Sequence, residues 1–138
     1  MGVTGFEFEA DFPDDTIEEG EGEDWRVVRP GGMAMAHAVA DLLRSAGIGV
    51  SELEPDLEHH CWVFTAEKDR KCYPIYVYDL SVDKLIMVHG SSPWFKHLFD
   101  RRDVFVECLE TLYGLLSSDP RFSSVGWVDV NGRPIAAP

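Results

Sequence analysis

Apolar and acidic residues alternate at the head of the chain, where Phe6, Phe8, Ala10 and Phe12 are separated by Glu7, Glu9 and Asp11. A repeat of two marks a strand with one buried and one solvated face, and this one is expected as an edge strand over residues 6–12. Pro13 ends the alternation. Residues 13–24 then carry like charges, two glycines (Gly20 and Gly22) and no periodicity, so they are read as a mobile loop. A short extended stretch resumes at Trp25-Arg26-Val27-Val28 and stops at Pro30-Gly31-Gly32.

From Met33 the repeat changes. Met35, Ala38, Val39, Leu42, Leu43 and Ala46 recur at the three-to-four spacing of one helix face, and Gly47 supplies a stop. Ile48–Val50 can open a strand, followed by an acidic loop over residues 52–58. Cys61–Glu67 and Lys71–Leu80 read as strands joined by Lys68-Asp69-Arg70, and Leu85–His89 completes a three-strand meander. Within it Ile75 and Val77 point to one face, Tyr76 and Tyr78 to the other. Pro74 lacks an amide hydrogen, so the start of its strand belongs at a sheet edge or a bulge. A short helix is expected over Trp94–Phe99. Val104, Phe105, Cys108, Leu109, Leu112, Leu115 and Leu116 trace a second long helix that ends near Asp119-Pro120. Val125–Val130 is a last strand, and Asn131-Gly132 is a turn signal with no evident partner after it.

Two amphipathic helices need a shared apolar surface, which a sheet supplies. The fold class expected is α+β: a mostly antiparallel sheet of about four to six strands with two main helices on one face. At 138 residues, 45% of them apolar, the chain is long enough to bury one core. The organisation read from it is an acidic N-terminal arm, residues 1–24, and a single α+β domain, residues 25–138.

Charge sharpens that division. The net charge is −13, yet residues 1–24 hold ten acids and no Lys or Arg, while the remainder sets 15 acids against 12 bases. The domain is nearly balanced and the acidity sits in the arm. With no basic surplus to release counterions from phosphates, neither nucleic acid nor an anionic membrane is an expected partner. The first twelve residues have no basic stretch followed by an apolar one, as a secretory signal would, and no apolar run approaches the roughly 20 residues of a membrane span. A cytoplasmic location is the expectation. Cys61, Cys72 and Cys108 form neither a disulfide framework nor a zinc knuckle, and are read as small hydrophobes kept reduced.

Three constellations invite chemistry. His59-His60-Cys61 suggests a metal, but adjacent side chains of an extended segment diverge and a fourth ligand is missing, so no metal or other cofactor is expected. Cys/His pairs for nucleophilic catalysis can be drawn with His59, His60, His89 or His97, as in any chain this rich in both, whereas His37 falls on the first helix. Pro30-Gly31-Gly32 precedes a helix N-terminus, where exposed amides attract anions, but no phosphate-loop Lys-Ser or Lys-Thr follows. Its glycines are read as a tight turn.

A binding protein rather than an enzyme is therefore the expectation: one that docks on a basic protein partner and blocks it. The residues assigned to docking are Asp14, Asp15, Glu18, Glu19, Glu21, Glu23 and Asp24 of the arm, with Tyr76 and Tyr78 on an incompletely covered sheet face. Neutralising the arm acids is expected to leave the melting temperature unchanged or slightly raised. In size and charge the chain resembles the small acidic immunity proteins with which bacteria neutralise their own toxins, which implies a toxin as the partner. The alternatives are an accessory protein that self-associates, as a homodimer, through its aromatic face, and a small enzyme or ligand-binding protein using the Cys and His residues.

Overall fold

The computed structural model describes residues 4–68, 70–80, 83–88 and 102–137; the helix expected over Trp94–Phe99, together with His89 and His97, lies outside them. Among the described residues nine strands and two long helices follow one another: β1 (Gly5–Ala10), β2 (Ile17–Glu19), β3 (Arg26–Arg29), α1 (Met33–Ser45), β4 (Gly49–Val50), β5 (Glu54–Asp56), β6 (Cys61–Lys68), β7 (Lys71–Leu80), β8 (Asp83–Val88), α2 (Arg102–Ser118) and β9 (Phe122–Val128). Seven strands make one antiparallel sheet in the order β4-β6-β7-β8-β1-β9, with β5 pairing β6 beside β4. Strands β2 and β3 form a separate two-stranded ladder. The α+β class is as the sequence patterns require.

One face of the sheet is dry. Phe6 and Phe8 of β1, Trp62, Phe64 and Ala66 of β6, Tyr73, Ile75 and Val77 of β7, and Ile86 and Val88 of β8 are all buried on it. Helix α1 covers them with Met35, Val39 and Leu43, and α2 with Cys108, Leu109, Leu112 and Leu116. Tyr113 of α2 stacks on Trp127 of β9, ring centroids 4.7 Å apart, and Phe6 lies 4.8 Å from the same indole. Gly47, at φ 82°, ends α1: its amide donates to the Arg44 carbonyl and that of Ile48 to the Leu43 carbonyl, a paired closure open to a left-handed residue.

Three expectations are corrected. Strand β1 is interior, paired with β8 on one side and β9 on the other. The alternation of Phe and Glu reported a strand with one solvated face, which an interior strand of a one-side-covered sheet also has. Residues 13–24 hold regular structure in place of the expected mobile loop: β2 pairs with β3, and one turn of 3-10 helix (Gly22–Asp24) lies between them. The acidic loop expected at 52–58 likewise contains β5, whose Pro55 is tolerated because, among the described residues, β5 has no strand beyond it. Pro74 lies opposite Thr65, whose N–H and C=O turn away from β7 to Ser51, so the Pro74 nitrogen points away from β6; what would face it beyond Val88 of β8 lies outside the described residues, where the edge-or-bulge expectation also falls.

The Asn131-Gly132 turn finds its partner in the C-terminal tail. Asp129 and Arg133 close it by backbone hydrogen bonds, Val128 bridges Pro134, and the Ile135 amide donates to the Trp127 carbonyl.

Candidate functional site

The face of the sheet away from the helices carries the distinctive surface. Residues directly opposite in adjacent strands share a face, so the registers define two rows across it. One runs Glu54, Val63, Tyr76, Met87, Gly5; the other runs Asp56, Cys61, Tyr78, Leu85, Glu7. The centre of each row is apolar or aromatic and each has a carboxylate on β5, while Glu9 and Glu67 lie further out on the same face. Among the described residues no Lys or Arg stands in either row. The one cation of β8 near them, Lys84, has the opposite parity and pairs with Asp79 at 2.8 Å on the helix side.

Val63, Tyr76, Tyr78, Leu85 and Met87 are each half-buried, whereas Leu57 and Leu80 beside them are exposed. Two shallow hollows flank the tyrosines. A larger one of about 420 Å³ is walled by Glu54, Pro55, Asp56, Leu57, Val63 and Tyr76; a smaller one of about 230 Å³ lies between Tyr78, Leu80, Leu85, Met87 and Val130. The 129–133 turn forms the far wall: a Cβ built on Gly132 would sit 3.7 Å from Leu85 Cδ1.

At the acidic margin Asp56 organises its own loop. Its Oδ1 accepts the His59 amide at 3.0 Å and its Oδ2 faces His59 Nδ1 at 2.9 Å. The hydrogen bond from His59 holds the Asp56 carboxyl below its ordinary value, and the same contact raises the imidazole. Cys61 lies under this loop, fully buried, with its thiol pushed up to about 11, first by burial and then by Asp56. Tyr78 opposite it is pushed up to about 12, again mainly by burial. Burial raises the Cys108 thiol too. Two of the three thiols are thus biased toward their protonated, weakly nucleophilic form, and the His59 ring is engaged by a carboxylate rather than by a cysteine. Among the described residues no group of three or more His, Cys, Asp and Glu side chains is placed to hold a metal ion.

The arm acids are spread over different tasks. Asp15 reaches the start of α1, where its Oδ1 accepts the amides of Gly32 (2.7 Å) and Met33 (3.3 Å) and its Oδ2 that of Ala34 (2.9 Å). The anion-attracting helix terminus at Pro30-Gly31-Gly32 is filled by the chain's own carboxylate. Arg29 fixes this strap by donating from Nε and Nη2 to the Asp15 carbonyl, and Trp62 Nε1 donates to the Pro30 carbonyl at 3.0 Å. Gly31 is required for it, since a Cβ there would lie 2.5 Å from Thr16 Oγ1, and Gly32 takes φ 90°. Asp14 accepts from the side chain and amide of Thr16, which hold its carboxyl below the usual range. Glu19 pairs with Arg26 at 2.9 Å with both side chains solvated. Glu18, Glu21, Glu23 and Asp24 are exposed.

The structure therefore brings Tyr76 and Tyr78 together with Glu54, Asp56, Val63, Leu85 and Met87, none of which the sequence patterns had singled out for binding. Register would have found Val63, because a two-residue turn after Lys68 sets it opposite Tyr76. The β5 carboxylates had no such signal. No helix among the described residues is long and apolar enough to cross a membrane. Comparison with known proteins gave no match to this chain among family models, curated proteins or solved structures.

Proposed function

We propose that this protein is a binding module of the cytoplasm that docks on a basic protein partner and blocks it, in the manner of an immunity or inhibitor protein. One observation carries the reading: the open sheet face has an aromatic and apolar centre, carboxylates on its β5 margin, and no Lys or Arg in its rows among the described residues. Protein-binding surfaces combine a dry centre rich in Tyr and Met with a polar rim. Margins of one sign select a partner of the other and suppress wrong ones. The exposed acids of the β2–β3 hairpin, Glu18, Glu21, Glu23 and Asp24, extend the same sign over the surface, which favours steering a basic partner toward the molecule. A cytoplasmic setting agrees with three free thiols, two of them buried.

Affinity capture from the cells of origin, run in parallel with wild type and a Tyr76→Ala/Tyr78→Ala variant of unchanged melting temperature, tests this. The expected result is one basic protein retained in stoichiometric amount by wild type, lost with the variant, and inhibited in its own activity when the wild-type chain is added. Retention of acidic or neutral proteins alone, or a basic protein held equally by the variant, would overturn the reading.

A further inference from the structure

Resting on the docking reading above, we infer that the element received by the open sheet face is an amphipathic α-helix of the partner, lying along the strands with Lys or Arg on its shoulder over β5. The dimensions of the face lead to this occupant. Adjacent strands lie about 4.8 Å apart, so from β5 across β6 and β7 to β8 the trough is about 14 Å wide. Its walls are the β5 margin and the 129–133 turn that seats against Leu85. A helix with its side chains is about 10–12 Å across. It fits this width, whereas a single extended strand would leave half of the floor uncovered.

Spacing along the strands agrees. Tyr76 and Tyr78 are two residues apart on β7, and Glu54 and Asp56 two apart on β5, in both cases roughly 6.6 Å. Residues four apart on a helix rise about 6 Å and share one face. Two cations so placed would stand over Glu54 and Asp56, while an apolar stripe one step around the helix meets Tyr76, Tyr78, Leu85 and Met87. A basic shoulder also answers the charge of the margin, where Glu54 is exposed and Asp56, half-buried, faces His59. A second copy of this chain would bring carboxylate margins of the same sign to the interface, with no Lys or Arg in either row among the described residues.

The experiment uses the full chain and synthetic peptides as probes. The first is about four helical turns long, with Leu at three-and-four spacing and Lys four residues apart on one shoulder. The second carries Glu in place of Lys, and the third keeps the Lys composition but is interrupted by Pro, so that it cannot form a helix. Chemical-shift titration locates binding and circular dichroism reports peptide helicity. The inference predicts saturable binding of the first peptide with gain of helicity and shifts at Tyr76, Tyr78, Leu85 and Met87. Affinity should fall about tenfold or more in Tyr76→Ala/Tyr78→Ala and severalfold in Glu54→Gln. Because Glu54 is exposed, Glu54→Lys should fold normally and shift preference toward the Glu peptide.

Equal binding of the Pro-interrupted peptide at the same face would overturn the helix while leaving the docking reading intact. Shifts confined to residues 16–24 would overturn the face as the site while a basic partner stood. Equal binding of the Lys and Glu helices by wild type would defeat both. Absence of binding by the Lys helix would overturn the inference, as would movement of the face resonances with protein concentration alone, which would assign the face to a second copy.

Discussion

At Asp15 one carboxylate receives three amides from the first turn of α1, groups that a helix cannot satisfy by itself. Composition presents this residue as one of ten interchangeable charges, and only the fold separates it from Glu21 or Glu23. The expectation that all arm acids can be neutralised without loss therefore needs revision. Asp15→Ala should cost about 1–2 kcal/mol in urea denaturation, the usual effect of losing a helix N-terminal acceptor, and Asp15→Asn less. Glu21→Gln and Glu23→Gln, at exposed positions without a hydrogen bond or ion pair described for them, should change stability by no more than about 0.5 kcal/mol. At the β5–β6 loop, the raised His59 and lowered Asp56 set opposite pH limits on one contact. The histidine's contribution is full below its ordinary 6.5 and is lost as pH rises through its higher folded value. That of Asp56 is present above 3.8 and is lost as pH falls through its lower folded value. An NMR titration should place the His59 midpoint above 6.5, and Asp56→Asn should return it toward 6.5.

Elements with strong internal periodicity are legible in the amino-acid sequence itself. The apolar face of α1 and the Gly47 stop, the β6–β7–β8 meander and the apolar face of α2 from Cys108 onward all appear where their residues require. Position within the sheet is not legible, because alternation records how many faces are wet and says nothing of how many edges are paired. Strand β1 is the case in point. Its insertion between β8 and β9 depends on a contact between the two ends of the chain that no local pattern encodes. Phe6 and Phe8 are buried there against α2, Trp127 and Phe122. Phe6→Ala or Phe8→Ala should each cost about 3–5 kcal/mol, while Glu7→Gln and Glu9→Gln on the open face should stay within about 0.5 kcal/mol. Equilibrium denaturation separates the two classes. Strand β5 is hidden for another reason: four acids and a proline in residues 52–58 read as a loop, and only pairing along β6 gives Glu54 and Asp56 a common face.

For the whole molecule, the net charge of −13 matters less than its placement. Some of it is consumed internally, at Asp15 on the helix terminus, at Asp79 with Lys84 and at Asp119, which Arg121 grips at 2.7 Å. Among the described residues part of what is left outward lies on the hairpin and part around the open sheet face, with Asp41, Glu107 and Glu110 on the helices, and the first two groups should act at different stages of binding. Hairpin charges act at long range and should govern the association rate and its salt dependence. The tyrosines act only in contact and should govern dissociation. Stopped-flow association with the captured basic partner, at low and at physiological ionic strength, measures both stages at once. The account predicts that Tyr76→Ala/Tyr78→Ala keeps the wild-type on-rate and raises the off-rate about tenfold or more, whereas neutralising Glu18, Glu21, Glu23 and Asp24 slows association at low salt and leaves dissociation unchanged. An unchanged off-rate in the tyrosine variant would contradict the assignment of the open sheet face as the docking surface.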